Sequence, residues 1–266
     1  MCIPCIQCIH QELFKGVLMI KIIDTHMHLG VSKFSGVSTT EEDITNAMDK
    51  YGIEAAFVMP QPTLENVFDV HTAIGKMMEK YPNRIFGMTS LDPWLEEEIY
   101  VNEVERCIKQ MGFVALKLHP LGHNISPLSN HCEKIYRLAS KYQVPVLVHT
   151  GTGNPFSLPS LMIDPAKRYP DVSFILCHAG FAVYADEALV AAKHCENIFL
   201  EPSWCQTYMT RKMIDQVGIE KIIMGSDHIS NIPVELAKYN NIGLTDEQLE
   251  TIFYLNPKRI FKLKDL

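Results

Sequence analysis

The stretch Ile22-Ile23-Asp24-Thr25-His26-Met27-His28 is an apolar run that ends in two histidines separated by one residue. Such short apolar runs are typical of strands that are buried on both faces. Because alternate side chains of a strand lie on the same face, His26 and His28 are expected to point the same way at the end of the strand. Histidine is the commonest metal ligand, so the pair forms half of a candidate metal site.

Seven further strand-like runs follow the first and alternate with segments of helical periodicity. The predicted strands are 20–28, 55–59, 84–90, 113–118, 144–149, 172–178, 198–201 and 222–226. The predicted helices are a first helix that ends at Gly52 and has a capping box of Thr39 and Glu42, then 65–80, 101–111, 130–142, 158–168, 182–194 and 208–217. Eight strand-helix units predict an α/β fold, a (β/α)8 TIM barrel.

An open, doubly wound sheet is the alternative architecture. It is disfavoured because no glycine-rich phosphate turn follows the first strand, and because polar residues follow nearly every strand rather than one switch point. A length of 266 residues without a low-complexity linker favours a single domain. We expect that domain to span 19–266, preceded by a disordered leader over 1–18.

The charge and hydropathy of the chain exclude several classes of partner. A net charge of −7 argues against nucleic acid and anionic membranes as partners, since both require a basic face. No apolar run approaches the length of about 18 residues that a membrane span requires. The sequence therefore predicts a cytoplasmic protein with a small-molecule partner, and leaves a homo-oligomer open.

Eight cysteines in a chain of this size, with no signal peptide, favour free thiols over a disulfide framework. Three of them, Cys2, Cys5 and Cys8, lie close to His10 in an arrangement similar to a metal knuckle. No second half of a zinc or iron-sulfur pattern follows at a usable spacing, so a loose leader is the preferred interpretation.

Residues that can bind a metal ion or transfer protons stand at the ends of five predicted strands. The carboxyl ends of the strands of such a barrel meet at one mouth, so a metal site is predicted there. Imidazole and carboxylate ligands suit Zn²⁺ best, and also Mn²⁺, Fe²⁺ or Ni²⁺. These residues are His26 and His28, Lys117 and His119, His149, His178, and Asp227 with His228.

Six segments together resemble the amidohydrolase superfamily, in particular the amidohydrolase-related branch that includes aminocarboxymuconate semialdehyde decarboxylase and several lactone hydrolases. The segments are Ile23-Asp-Thr-His-Met-His28, Gly112 to Pro120, Val144 to Gly151, Cys177-His-Ala-Gly180, Gly225-Ser-Asp227 and Asn256-Pro-Lys-Arg-Ile-Phe261. The resemblance implies a metal-dependent barrel enzyme. It also implies that Asn256 and Arg259 tie the last helix to the barrel.

The resemblance implies that His26, His28, His149 and Asp227 are metal ligands. It further implies that His178 either contacts the metal-bound water and the substrate or binds a second metal ion. Lys117 is open to two interpretations: it pairs with a substrate carboxylate at a one-metal site, or it is carboxylated and bridges two ions. One ion is favoured over two. His119 shares the face of Lys117 only if the strand continues past Leu118.

The predicted reaction is hydrolysis of an amide, cyclic amide, ester or lactone by a metal-activated water, with Asp227 transferring protons and His178 stabilising charge on the substrate. Non-oxidative decarboxylation of a small unsaturated or aromatic carboxylate is the alternative. A structural hydrogen bond is expected for Glu201. The candidate substrate-binding residues are Lys117, His119, His228, Trp204 and Arg211.

Overall fold

The computed structural model describes residues 20–33 and 35–264. The predicted leader over 1–18, with Cys2, Cys5, Cys8 and His10, lies outside the described residues. Within them, no helix is both long and apolar enough to cross a membrane.

Eight strands of the described residues form one sheet in which the first long strand pairs with a two-residue edge strand and all other pairings are parallel. The strands are β1 (Ile22–Val31), β2 (Ser38–Thr39), β3 (Ile53–Pro60), β4 (Ile85–Ser90), β5 (Ala115–Leu118), β6 (Val146–His149), β7 (Phe174–Cys177) and β8 (Ile198–Glu201). The spatial order is β2-β1-β3-β4-β5-β6-β7-β8.

The segment 222–227, here called the closing segment, completes the barrel between β8 and β1. Ile222 forms a parallel bridge with Leu200, and the Ile223 amide donates to the Leu200 carbonyl. On the other side, the Thr25 amide donates to the Met224 carbonyl, and the Asp227 amide donates to the carbonyl of His26. The predicted TIM barrel is therefore confirmed. The predicted strand 222–226, however, is an extended segment with a single ladder bridge to β8.

Helices surround the sheet, and most lie where their periodicity predicts them. They are α1 (Glu41–Tyr51), α2 (Val67–Lys80), α3 (Glu97–Met111), α4 (Pro120–His123), α5 (Asn130–Tyr142), α6 (Ile163–Arg168), α7 (Ala185–His194), α8 (Thr207–Val217), α9 (Ile232–Asn240), α10 (Asp246–Glu250) and α11 (Asn256–Ile260). A π-helical stretch, Thr251–Leu255, joins α10 to α11.

Two details of the predicted helices were wrong. The capping box of α1 is formed by Thr40 and Asp43 rather than Thr39 and Glu42, because Thr39 belongs to β2 and pairs with Gly30. The predicted helix over 158–168 is an α-helix only from Ile163, and 3-10 turns precede it at Pro155–Ser157 and Pro159–Met162. Proline lacks an amide hydrogen, so its frequency in this segment limits regular helix formation.

The barrel interior is a distinct apolar cluster, built from alternate residues of the strands, that extends into the C-terminal residues Ile260, Phe261 and Leu263. The ring of Phe261 lies 4.2 Å from that of Phe57. Asn256 donates from its amide to the carbonyls of Ile219 and Ile222, and Arg259 donates to the Glu220 carbonyl. The last helix therefore closes the barrel at the amino ends of the strands, as predicted for Asn256 and Arg259.

A buried histidine-glutamate pair joins α2 and α3 to the sheet. The Ser90 amide donates to Nε2 of His71, so the hydrogen of this imidazole is on Nδ1, which donates to Glu103 at 2.8 Å. Burial lowers the pKa of His71 and keeps it neutral. Burial opposes ionisation of Glu103, but hydrogen bonds from His71 and Arg106 outweigh it and lower the pKa of Glu103 to about 2.

We predict that Glu103 contributes to acid unfolding. The pKa of Glu103 is lowered from 4.5 to about 2, so its stabilisation is complete above pH 4.5 and is lost as the pH falls toward 2. The shift corresponds to roughly 3 kcal/mol at most. Urea unfolding of wild type and Glu103→Gln at pH 5 and pH 3 should show a smaller pH-dependent loss of unfolding free energy in the variant. Equal losses in the two proteins would contradict this role.

Candidate metal centre

An extra residue in β1 determines which of its side chains face the barrel interior. Asp24 pairs with Ala56, whereas Met27 pairs with Val58, so β1 has one more residue than β3 over this interval. Such a β-bulge changes the alternation of side chains along the strand. Before the bulge Ile23 belongs to the interior cluster, while after it Met27 and Leu29 belong to the cluster beneath the helices. His26 and His28 therefore face the interior.

The Asp24 carboxylate holds this bulge together. It is fully buried, and Oδ1 accepts hydrogen bonds of 3.0 Å from the amides of His26 and Ser226. Because Ser226 lies in the closing segment, the same oxygen fixes the backbone beside a candidate ligand from β1 and beside Asp227.

Three donor atoms converge at the mouth. Nε2 of His26 and Nε2 of His28 lie 3.2 Å apart, and Oδ1 of Asp227 lies 3.3 Å from the first and 3.2 Å from the second. The two histidines and Asp227 are about two hundred residues apart in sequence. Among the described residues, this trio is one of three groups of side chains whose donor atoms are close enough to share an ion.

The Nδ1 atoms of both imidazoles also have hydrogen-bond partners. Nδ1 of His28 lies 3.0 Å from the Pro60 carbonyl, which can only accept, so this nitrogen carries the hydrogen. Nδ1 of His26 lies 2.9 Å from Oε2 of Glu201. A carboxylate or carbonyl behind a histidine fixes its tautomer and directs the Nε2 lone pair toward a metal ion.

Glu201 also orients His178, through Ser203. With Glu201 ionised, the Ser203 hydroxyl donates to Oε2 of Glu201 at 3.1 Å and accepts the 2.7 Å hydrogen bond from Nδ1 of His178. Nε2 of His178 consequently has a lone pair and accepts hydrogen bonds. The predicted structural hydrogen bond of Glu201 is confirmed. The predicted role of His178, to stabilise negative charge on a substrate oxygen, stays a prediction.

His149 adds a further nitrogen to the site. Its ring stacks on that of His119 with centroids 4.2 Å apart, and it lies 4.8 Å from the ring of His178. Nε2 of His149 is buried and has no hydrogen-bond partner among the described residues. An orphaned buried nitrogen is costly unless a ligand satisfies it.

Strand β5 ends at Leu118 and does not continue to His119. His119 caps α4, because its Nδ1 accepts a hydrogen bond from the Gly122 amide.

The protonation states of these groups suit a metal ion. Burial lowers the pKa of His26 and His149 well below the usual range, and that of His178 to about 3. Burial opposes ionisation of Asp227, but the positive charge of an adjacent imidazole, whenever one is protonated, holds the pKa of its carboxyl well below the usual range. Neutral imidazoles and an ionised carboxylate are the forms that bind divalent metals.

Lys117 lies on the floor of the site. It is buried, and its ammonium is 3.1 Å from Nε2 of His26 and 3.3 Å from Sγ of Cys177. Burial raises the pKa of the Cys177 thiol to about 12, so the sulfur is protonated. Lys117 thus contacts the candidate ligand His26 directly.

Three residues of the site have left-handed backbone conformations. The φ angles are +63° at His178, +64° at Trp204 and +67° at Asp227. This conformation is unfavourable for residues other than glycine and persists where the surroundings enforce it, often at functional sites.

Two of the predicted substrate-binding residues have other partners. Arg211 lies in α8, where its guanidinium is bonded to Asp215 and to the carbonyls of Ile242 and Gly243. The structure therefore does not bring Arg211 together with the histidines. Nδ1 of His228 bonds to Ser230 in the turn after Asp227.

Comparisons with known proteins agree with this geometry. The family model described as Amidohydrolase matches residues 23–263. The chain belongs to the amidohydrolase family. No curated protein matches the sequence.

Solved structures with the same fold are named for different reactions. A 5-carboxyvanillate decarboxylase from Novosphingobium aromaticivorans, in complex with manganese and 4-hydroxy-3-methoxy-5-nitrobenzoic acid, has a TM-score of 0.73 at 15% identity and covers 94% of this chain and 97% of its own. A protein from Acinetobacter baumannii described as a probable 2-pyrone-4,6-dicarboxylic acid hydrolase has a TM-score of 0.67 at 15% identity, and the match covers 91% of this chain and 100% of that protein. The 4-oxalomesaconate hydratase of Rhodopseudomonas palustris has a TM-score of 0.65 at 16% identity, and the match covers 91% of this chain and 95% of that protein.

Three residues that support the candidate ligands are missing from the sequence-based predictions. Asp24 immediately follows the apolar run of β1, and Ser203 lies two positions after Glu201, so both were visible at strand ends. Cys177 directly precedes His178, and the sequence predicts only a free thiol there. Nothing in the sequence indicates that these side chains contact groups from distant strands.

We predict that Glu201→Gln weakens metal binding. The amide replaces one of the two carboxylate oxygens that accept from Ser203 and His26, so the histidines lose their fixed orientation. We expect a loss of about 10- to 100-fold in Zn²⁺ affinity, measured by competition with a chromophoric chelator. Glu103→Gln is the matched control, since it also removes a buried carboxylate that is bonded to a histidine. Equal affinities for both variants and wild type would show that Glu201 has no such role.

Proposed function

We propose that this protein is a metal-dependent hydrolase that cleaves an amide, cyclic amide, ester or lactone bond of a small molecule. The observation that carries the proposal is the convergence of His26, His28 and Asp227, whose donor atoms lie 3.2–3.3 Å apart. Two imidazole lone pairs and a carboxylate oxygen so close together repel one another unless positive charge lies between them.

The residues present fit a divalent ion. His26, His28 and Asp227 would hold it, and the unpartnered Nε2 of His149 would be a fourth donor. We propose one ion, most simply Zn²⁺, because nitrogen and carboxylate ligands of this kind suit zinc. Mn²⁺ is the alternative, since the related decarboxylase was solved with manganese.

A second ion requires a change at Lys117. A cationic ammonium 3.1 Å from Nε2 of His26 disfavours a second cation beside it, whereas a carboxylated Lys117 would supply two oxygen ligands. The accepting Nε2 of His178 would then be a further ligand. We propose one ion, with Lys117 as an ammonium that pairs with a negative group on the substrate.

When bound, the ion would act as a Lewis acid that polarises the scissile carbonyl and makes water a better nucleophile at neutral pH. Asp227 is ionised and 27% exposed, so its carboxylate can accept a proton from the attacking water and transfer it to the leaving group. His178 accepts a hydrogen bond through Nε2 and so orients that water, while Ser203 keeps its ring in place.

Decarboxylation of a small unsaturated or aromatic carboxylate is the second candidate function. Two observations favour it: the likeness to a decarboxylase solved with an aromatic acid, and the buried ammonium of Lys117, which could pair with a substrate carboxylate. Both reactions use the same ligands, so the product must distinguish them.

We predict that His26→Ala loses the metal ion. Wild-type protein should contain about one divalent ion per chain by elemental analysis, and His26→Ala should contain almost none after dialysis, because a ligand from β1 is missing. His71→Ala also removes a buried histidine but lies outside the candidate centre, so it should retain the ion. Full metal occupancy in folded His26→Ala would refute the assignment.

We predict that Asp227→Asn abolishes turnover, by at least about 100-fold, because an amide cannot accept the proton. The assay is a screen of small lactones, cyclic amides and aromatic carboxylates with the metal-loaded protein, with release of acid and release of CO₂ measured separately. Acid release by wild type supports the hydrolase, and CO₂ release supports the decarboxylase. Near-normal turnover by Asp227→Asn would remove Asp227 from the proton-transfer role.

A further inference from the structure

Trp204 is an exposed aromatic residue whose polar atoms are nevertheless fixed. Its side chain is 46% exposed, yet the indole Nε1 donates a 2.8 Å hydrogen bond to Oδ2 of Asp227. Its backbone amide donates to Oε1 of Glu235 at 2.9 Å. Both polar groups of Trp204 therefore have carboxylate partners.

The indole divides the two oxygens of Asp227 between two tasks. Oδ1 faces the Nε2 atoms of His26 and His28, at 3.3 and 3.2 Å, while Oδ2 is bonded to Trp204. A carboxylate on a partly exposed side chain can otherwise rotate about its last bond. The hydrogen bond from the indole therefore fixes the orientation in which one oxygen points at the two imidazoles.

A buried network fixes the backbone of Trp204 relative to Asp227. Glu235, which accepts from the Trp204 amide, also accepts from the side-chain amide of Asn231 at 3.1 Å, and Asn231 donates to the Ser226 carbonyl at 2.9 Å. Lys238 pairs with Glu235 and donates to the Pro202 carbonyl. This network supports the left-handed φ of +64° at Trp204, and it connects that residue to the position before Asp227.

We propose that Trp204 is a positioning residue for the metal centre: its indole holds Asp227 so that a single oxygen, Oδ1, is presented to the ion shared with His26 and His28. This inference rests on the proposed function. It differs from the prediction that Trp204 binds substrate, because it requires the indole N–H rather than the ring face.

The chain provides a matched control for this role. Trp94 is the other tryptophan, is 52% exposed, and donates from its indole to the His123 backbone carbonyl at 2.9 Å. Replacing either residue with phenylalanine removes an indole hydrogen bond from a similarly exposed ring. Only at Trp204 is the acceptor a carboxylate of the candidate metal centre.

The test is the Zn²⁺ affinity of wild type, Trp204→Phe, Trp94→Phe, Asp227→Asn and the double variant Trp204→Phe/Asp227→Asn, measured by chelator competition. We expect Trp204→Phe to weaken zinc binding by about 10-fold and Trp94→Phe to leave it unchanged. In the Asp227→Asn background, Trp204→Phe should have no further effect, because its action passes through the Asp227 carboxylate. The melting temperatures of the two metal-free phenylalanine variants should agree.

Three outcomes would overturn the inference. Equal zinc affinities of Trp204→Phe and Trp94→Phe would leave the proposed function intact and remove the positioning role. An equal loss on Trp204→Phe in the wild-type and Asp227→Asn backgrounds would show that Trp204 acts by another route. Failure of wild type itself to bind zinc or manganese would overturn the proposed function together with this inference.

Discussion

The hydrogen bonds that Oδ1 of Asp24 accepts from the amides of His26 and Ser226 are the constraint on which the site depends. They stabilise the bulge that directs His26 and His28 into the barrel, and they attach the closing segment to β1. The Asp227 amide completes the junction by donating to the His26 carbonyl. The two chain segments that carry the candidate ligands are therefore joined through their backbones before any ion binds.

A second layer of hydrogen bonds prepares the imidazoles for a cation. The Pro60 carbonyl and Glu201 are bonded to the Nδ1 atoms of the two β1 histidines. Ser203 is bonded to both Glu201 and His178, and so connects the same carboxylate to a third imidazole. Burial raises the pKa of Glu201 well above its usual range, so its ionised form is costly unless positive charge is nearby. A cation bound to His26 would supply that charge, which links the second layer to occupancy of the site.

The sequence was sufficient to predict the barrel, because buried parallel strands are continuous apolar runs and the apolar residues of helices recur every three to four positions. It also located His26, His28, Lys117, His149, His178 and Asp227 at strand ends. It could not predict the bulge, since inserting one residue in a ladder depends on the register with β3. Nor could it predict the tautomer of His178, which depends on a serine from another strand. The position of Arg211 after β8 predicts a substrate-binding residue, but its guanidinium is bonded to Asp215 of α8 and to a distant turn.

X-ray absorption at the zinc edge of the zinc-loaded protein would show whether His26, His28 and Asp227 share one ion. We expect a first shell of nitrogen and oxygen at about 2.0–2.1 Å, with outer-shell scattering from at least two imidazoles. A second group of donors, His26, Cys177 and Glu201, also lies close together in the described part of the chain. A sulfur neighbour at about 2.3 Å, or a shell without imidazole scattering, would place the ion elsewhere and show that these three residues do not share it.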